Sequence, residues 1–235
     1  WASTPVATEP AATCATDGEG DTLESALRAR LADLHVSWPV IVRPAMAALA
    51  ATGDGFVTVT AGRMIPRETL ERTVVHEVDG HVLPRVCAER SGSPLAWIGT
   101  ANGVAAQEGW ALRCEERAGL FGAARRREIA WRSIAAASMR EGADFREVRS
   151  QLERDGGFGA EAAYVLAERL FRGSLGVLPG LGREAAYLTY YLRIRDHLEV
   201  YPSDEALFRG GVVAPEACAL VRAASPPPED AAFFQ

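Results

Sequence analysis

Two of the chain's four histidines, His76 and His81, stand five residues apart in the segment 73–85, which reads T-V-V-H-E-V-D-G-H-V-L-P-R. Pro66 ahead of this segment suits the first turn of a helix, where its missing N–H costs nothing. On an α-helix, residues four apart lie about 40° from each other around the axis, whereas residues five apart diverge by about 140°. The two imidazoles can share a face only if one residue is absorbed locally, most simply as an i→i+5 irregularity. Gly80, immediately before His81, accepts such a distortion more readily than any other residue type. The spacing therefore predicts a π-type irregularity within residues 78–81. The helix carrying it is expected to start at Pro66, run through the low eighties and end or kink near Pro84.

Residue types in this segment point to metal chemistry. Zinc favours imidazole nitrogen and carboxylate oxygen, and a catalytic site uses three protein ligands plus an open water position. A carboxylate beside the bound water can take its proton as it attacks a carbonyl, and Glu77 directly follows the first histidine. His-Glu followed by a second His one turn later is how helical zinc peptidases deliver these parts together. A third ligand is expected from a nearby helix. Glu108, in the stretch 106–111 (A-Q-E-G-W-A), lies 32 residues after His76, a separation that a helix–turn–helix can fold back. The plainer alternative is a helix with two satisfied histidines, a surface Glu77 and an exposed helical Glu108.

With His76-Glu77-Val78-Asp79-Gly80-His81 followed by Gln107-Glu108-Gly109-Trp110-Ala111, the chain resembles the QEGLA-motif metallopeptidase family. That family includes bacterial proteins and the microtubule-associated tyrosine carboxypeptidase of animals. The resemblance spans roughly two-thirds of the chain, through Met46 and the strand at 56–60 to Phe171-Arg172-Gly173 and Arg183-Glu184-Ala185-Ala186-Tyr187-Leu188. It implies a zincin-like metallopeptidase with one zinc ion held by His76, His81 and Glu108, and Glu77 as general base. It also implies carboxypeptidase action on a peptide or protein C-terminus, releasing an aromatic residue. Arg172 and Arg183 are the resulting candidates for the terminal carboxylate, because a guanidinium pairs with it bidentately. Tyr187 is a candidate for stabilising the oxyanion, against ordinary core packing of Tyr187, Tyr190 and Tyr191. Trp110 replaces the family's Leu, which implies a reshaped wall behind the metal, and Arg183-Glu184 replaces a Lys-Asp pair. A non-catalytic metal-binding module and an amidohydrolase acting on a small natural product are the competing functions, and iron is the competing metal.

The remaining sequence sets the frame. Across 235 residues, 48% are hydrophobic and 24% charged, ordinary globular proportions that exclude disorder of the whole chain. No apolar stretch approaches the roughly 20 residues of a membrane span, so no membrane is expected. The 25 basic residues are all arginine; set against 31 acidic ones they give a net charge of −6, with no general attraction for nucleic acid. The one basic run, at 125–127, reads as a solvated helix face. Four cysteines without C-x-x-C spacing read as free, buried or partly buried thiols of a reducing, cytoplasmic compartment.

The expected fold is mainly α with a small β-sheet in the N-terminal third. Residues 1–20 read as a flexible segment, 21–224 as one catalytic domain and 225–235 as a tail. A helix at 22–34 is followed by strands at 38–43, where Pro39 suits an edge or a strand start, and 56–60. A short helix is expected at 44–52. The strand at 56–60 could accept an extended substrate at a sheet edge. Further helices are expected at 102–119, 123–141, 144–154, 160–172, 183–200 and 215–224. Asp79 is expected to cap or face solvent, and His35 and His197 to be structural or surface residues. The oligomeric state is left open.

Overall fold

A computed structural model describes residues 1–3 and 14–224. The chain is mainly helical, with small sheets near the N-terminus. Strand β1 (Cys14–Ala15) lies within the expected N-terminal segment, while residues 4–13 and the expected tail lie outside the described residues. Helix α1 (Leu23–Asp33) starts at Thr22, whose hydroxyl accepts from the Ser25 amide while the Ser25 hydroxyl accepts from the Thr22 amide. This reciprocal cap satisfies two of the otherwise unpaired first-turn donors. Leu23, Leu27 and Leu31 recur on one buried face of α1.

Strands β2 (Val40–Arg43), β3 (Ala50–Thr52) and β4 (Val57–Thr60) form a sheet in the order β2-β4-β3. β4 runs parallel to β2, with Val40 opposite Val57, and antiparallel to β3, with Ala50 opposite Val59. Pro39 precedes an edge strand, where its lack of an N–H is harmless. Two expectations are corrected. The short helix expected at 44–52 gives way to β3, because pairing with β4 satisfies backbone groups that short, ambivalent Ala50 and Ala51 leave open. β4 is the central strand, so no substrate can add to it there. Val57 and Val59 bury against the leucine face of α1. β5 (Met64–Ile65) pairs with β1.

From Pro66 one continuous helical rod follows: α2 (Arg67–Val74), a π-helical segment (Val75–Val82) and α3 (Leu83–Ser91). The wider spacing is therefore real but extends over eight residues rather than four. The rod does not end near Pro84. Proline occupies the first turn of α3, where the change of ladder leaves no demand for its N–H.

Helix α4 (Pro94–Ile98) leads to α5 (Gly103–Arg117), α6 (Ala123–Arg140), α7 (Phe145–Arg154), α8 (Ala160–Leu170) and α9 (Glu184–Val200). Then come α10 (Glu205–Gly210) and α11 (Cys218–Ala224), the latter entered through a 3-10 turn at Pro215–Ala217. α5 lies between the π-helical segment and α9, and two glycines set its depth. A Cβ on Gly80 would lie 2.7 Å from the Ala111 Cα. A Cβ on Gly109 would overlap the backbone of Tyr190 and Tyr191. Gly80 is thus needed for close helix contact; its φ lies outside the left-handed region, so the backbone there makes no special demand for glycine. Trp110 is buried and stacks on Phe208 with ring centroids 5.9 Å apart, in a cluster with Tyr190 and Ile194. Its ring fills a core beneath α5.

The glycine contact makes a direct prediction. Gly109→Ala must push α5 off α9, and overpacking of this kind costs about 1–3 kcal/mol. Urea unfolding of the variant should show that loss as a lower midpoint with an unchanged slope.

Candidate metal centre

The π-helical register solves the spacing problem. In an i→i+5 ladder, residues five apart stack as neighbours, as residues four apart do in an α-helix. The Leu83 amide donates to the Val78 carbonyl five residues back. His76 and His81 consequently face one way, with ring centroids 5.1 Å apart and planes at 69°. Both are largely buried, with side chains 12% and 14% exposed.

Glu108, on α5, meets them. Its Oε2 lies 3.5 Å from the Nε2 of His76 and 3.6 Å from the Nε2 of His81. That oxygen is buried and makes no hydrogen bond. Two ligands about 2.0–2.2 Å from a tetrahedral zinc would be about 3.3–3.6 Å apart, the separation seen here. Electrostatics favour a cation at this point. Burial alone would lower the His76 pKa, but the neighbouring carboxylates of Glu108 and Glu115 drive it up to about 9. Burial alone would raise Glu108, yet His81 and His76 hold it well below the usual carboxylate range.

A second grouping makes the contrast clear. His197, Asp204 and Cys218 also place potential ligand atoms within 4.8 Å of one another. There the His197 Nε2 and Asp204 Oδ2 are 2.7 Å apart, a hydrogen bond, and Arg222 pairs with the other Asp204 oxygen. Burial pushes the Cys218 thiol up to about 12, so it stays protonated. That grouping is internally satisfied, whereas the first is not. His197 thus has its acidic partner seven residues downstream, and His35 is exposed at a left-handed position after α1.

Glu77, on the same π-helical segment, is close enough for its charge to act on His76. It is 7% exposed, and its Oε2 accepts from the Thr52 hydroxyl at 2.8 Å. Thr52 sits on β3, the strand misread as helix, so nothing in the sequence singled it out. Asp79, expected to cap or face solvent, instead accepts from Arg30 of α1 at 2.6 Å.

Tyr187 lies alongside the histidines. Its ring is nearly parallel to that of His76, at 6.2 Å between centroids, and burial first, then the charge of Glu108, raises its pKa. Arg172 and Arg183 are not drawn to the cluster directly. Arg172 is 3.7 Å from Glu184 and 41% exposed, while Arg183 is exposed at the start of α9.

Behind the histidines runs a buried ion network that the sequence reading missed. The His76 Nδ1 is 2.7 Å from Glu115 Oε1, and Glu115 is fully buried. Arg125 donates through Nε and Nη2 to both Glu115 oxygens at 3.0 and 2.9 Å, and through Nη1 to Glu128 at 2.9 Å. Arg132 then joins Glu128 to buried Glu184, which also faces Arg169. The Arg132 guanidinium lies 4.1 Å from the Tyr187 ring centroid. Arg125 is thus not on a solvated face; its side chain is 11% exposed. Glu115 did carry a readable signal, for it falls two helical turns after Glu108 on the same face of α5.

A profile of the microtubule-associated tyrosine carboxypeptidase family matches residues 8–221. The chain belongs to that family. Among individually curated proteins none matches the chain. Membership of the tyrosine carboxypeptidase family makes the chain carboxypeptidase-like, in keeping with the resemblance carried by the His76-Glu77 and Gln107-Glu108-Gly109 boxes. Among the described residues, no disulfide joins any of the four cysteines. Among the described residues, no helix is long and apolar enough to cross a membrane.

The network predicts an acid limit. Burial alone would raise the Glu128 carboxyl, but Arg125, Arg132, Arg72 and Arg169 outweigh it and bring the group from 4.5 down to about 2. A depressed folded value means that the unfolded chain binds the proton more readily, so stability is intact above about pH 4.5 and is lost as pH falls toward 2. Thermal melts across that window should fall steadily. In Glu128→Gln the same melts should depend less on pH, from a lower starting point.

Proposed function

We propose that the chain is a zinc-dependent carboxypeptidase of the zincin type, with His76, His81 and Glu108 holding one zinc ion. The observation that carries this reading is the buried Glu108 Oε2, which has no hydrogen bond and stands at tetrahedral-edge distance from two imidazole nitrogens. When bound, zinc supplies Lewis-acid polarisation of the scissile carbonyl and acidifies a water. A two-His, one-carboxylate set also suits iron, but a buried general base beside it favours zinc and hydrolysis.

The chain's own residues supply the proton transfers. Glu77 takes a proton from the attacking water and hands it to the departing amine. Thr52 holds one of its oxygens, which fixes the carboxylate and leaves the other for the proton. Tyr187, kept protonated by burial, donates to the oxyanion. Arg172 and Arg183, both exposed guanidinium groups, suit a terminal carboxylate. From the family's name, the substrate is a peptide or protein C-terminus and the released residue is aromatic, with tyrosine foremost.

Two measurements test this. Glu77→Gln should lower kcat by about 10²–10⁴-fold while retaining one zinc per chain, and chelation of the wild type should abolish turnover. Full activity in either case removes the mechanism. Peptides ending in a free tyrosine should be cleaved and their C-terminal amides spared, whereas equal cleavage of both would reject exopeptidase action. Stoichiometric zinc without turnover on any peptide would indicate a binding module instead.

A further inference from the structure

The geometry points to Glu115 as the positioning residue that decides which nitrogen of His76 is free to bind metal, with Arg125 as the residue that holds Glu115 to that task. The inference rests on the metal-centre reading above. Glu115 Oε1 receives Arg125 Nη2 at 2.9 Å and lies 2.7 Å from His76 Nδ1, while Oε2 receives Arg125 Nε at 3.0 Å. Arg125 is always a donor, so both carboxylate oxygens are committed as acceptors. The short contact to His76 must then be Nδ1–H donating to Glu115. With the ring proton on Nδ1, the Nε2 lone pair points at Glu108 and His81, where the cluster converges.

A carboxylate in this place does more than orient the ring. It raises the basicity of the coordinating nitrogen, and such partners typically change metal affinity 10–100-fold. Glu115 is fully buried, so water cannot substitute for it. Arg125 is itself anchored on Glu128, which Arg132 also contacts. Arg132 in turn lies over the ring of Tyr187, which is itself nearly parallel to that of His76. One ion network thus braces His76 both at its Nδ1 and through the stacked ring beside it.

The test uses zinc as the probe on the full chain, by competition against a chromophoric chelator. Glu115→Gln should bind zinc 10–100-fold more weakly than wild type, measured on protein shown to be folded by its circular dichroism. A purely structural ion pair would lower the melting temperature and leave the zinc affinity of the folded protein unchanged, and that result overturns the inference. Nitrogen-15 NMR of zinc-loaded wild type needs no variant. His76 should be protonated at Nδ1 and metal-bound at Nε2, and the reverse tautomer overturns the inference even if Glu115→Gln fails to fold. A wild type that binds no zinc removes the metal-centre reading together with this one, a result distinct from a wild type and E115Q that bind alike.

Discussion

The convergence of two imidazole nitrogens on one carboxylate oxygen is the constraint around which the rest of the molecule is arranged. An α-helical His76 and His81 would point apart, so the rod must take a wider turn where they sit. π-helical turns are rare because they pack poorly around their own axis. Here the turn persists because neighbours hold it on every side. Val78 and Val82 bury into the core shared with α1 and the sheet, while Gly80 lets α5 approach on the other face. Gly109 does the same between α5 and α9, and the result places Glu108 within reach of both rings.

Such a cluster is costly to bury. Desolvated charges add little net stability even when paired, and leaving one unpaired is strongly unfavourable. The network from Glu115 through Arg125, Glu128 and Arg132 to Glu184 alternates sign at each step, which keeps every buried charge compensated. Its lasting contribution is geometric, because side chains that share charged partners hold one another in one arrangement. That rigidity suits a cluster whose side chains come from separate elements: His76 and His81 from the π-helical segment and Glu108 from α5, with Glu77 supported by Thr52 on β3.

How much of this was legible depended on range along the chain. Most helices followed from apolar periodicity and from their Gly and Pro punctuation, within a residue or two at their ends. The π irregularity was readable because His76 and His81 gave two markers whose angular mismatch could be computed. β3 was not readable, because Ala50 and Ala51 have no strand preference of their own and acquire one only from β4. The ion network was illegible for a similar reason. Arg125 looks like any surface arginine until α5 and α6 are packed, and only burial distinguishes its fork on Glu115 from a solvated salt bridge. Trp110, in turn, stands two residues after Glu108, which sends its ring to the opposite side of α5, and only the packing shows that it stacks on Phe208 there.

By itself, the sequence determined the chemical inventory: two histidines, a base and a distant glutamate, on helices, with a spacing that forbids a regular turn. These are local facts, set by residue type and helical geometry. Tertiary structure alone decided that Glu108 reaches both rings, that Thr52 and Glu115 stand behind Glu77 and His76, and that Arg172 and Arg183 lie outside the cluster. Those outcomes depend on how closely helices approach, and that distance is set by side chains far apart in the chain acting through shape and burial.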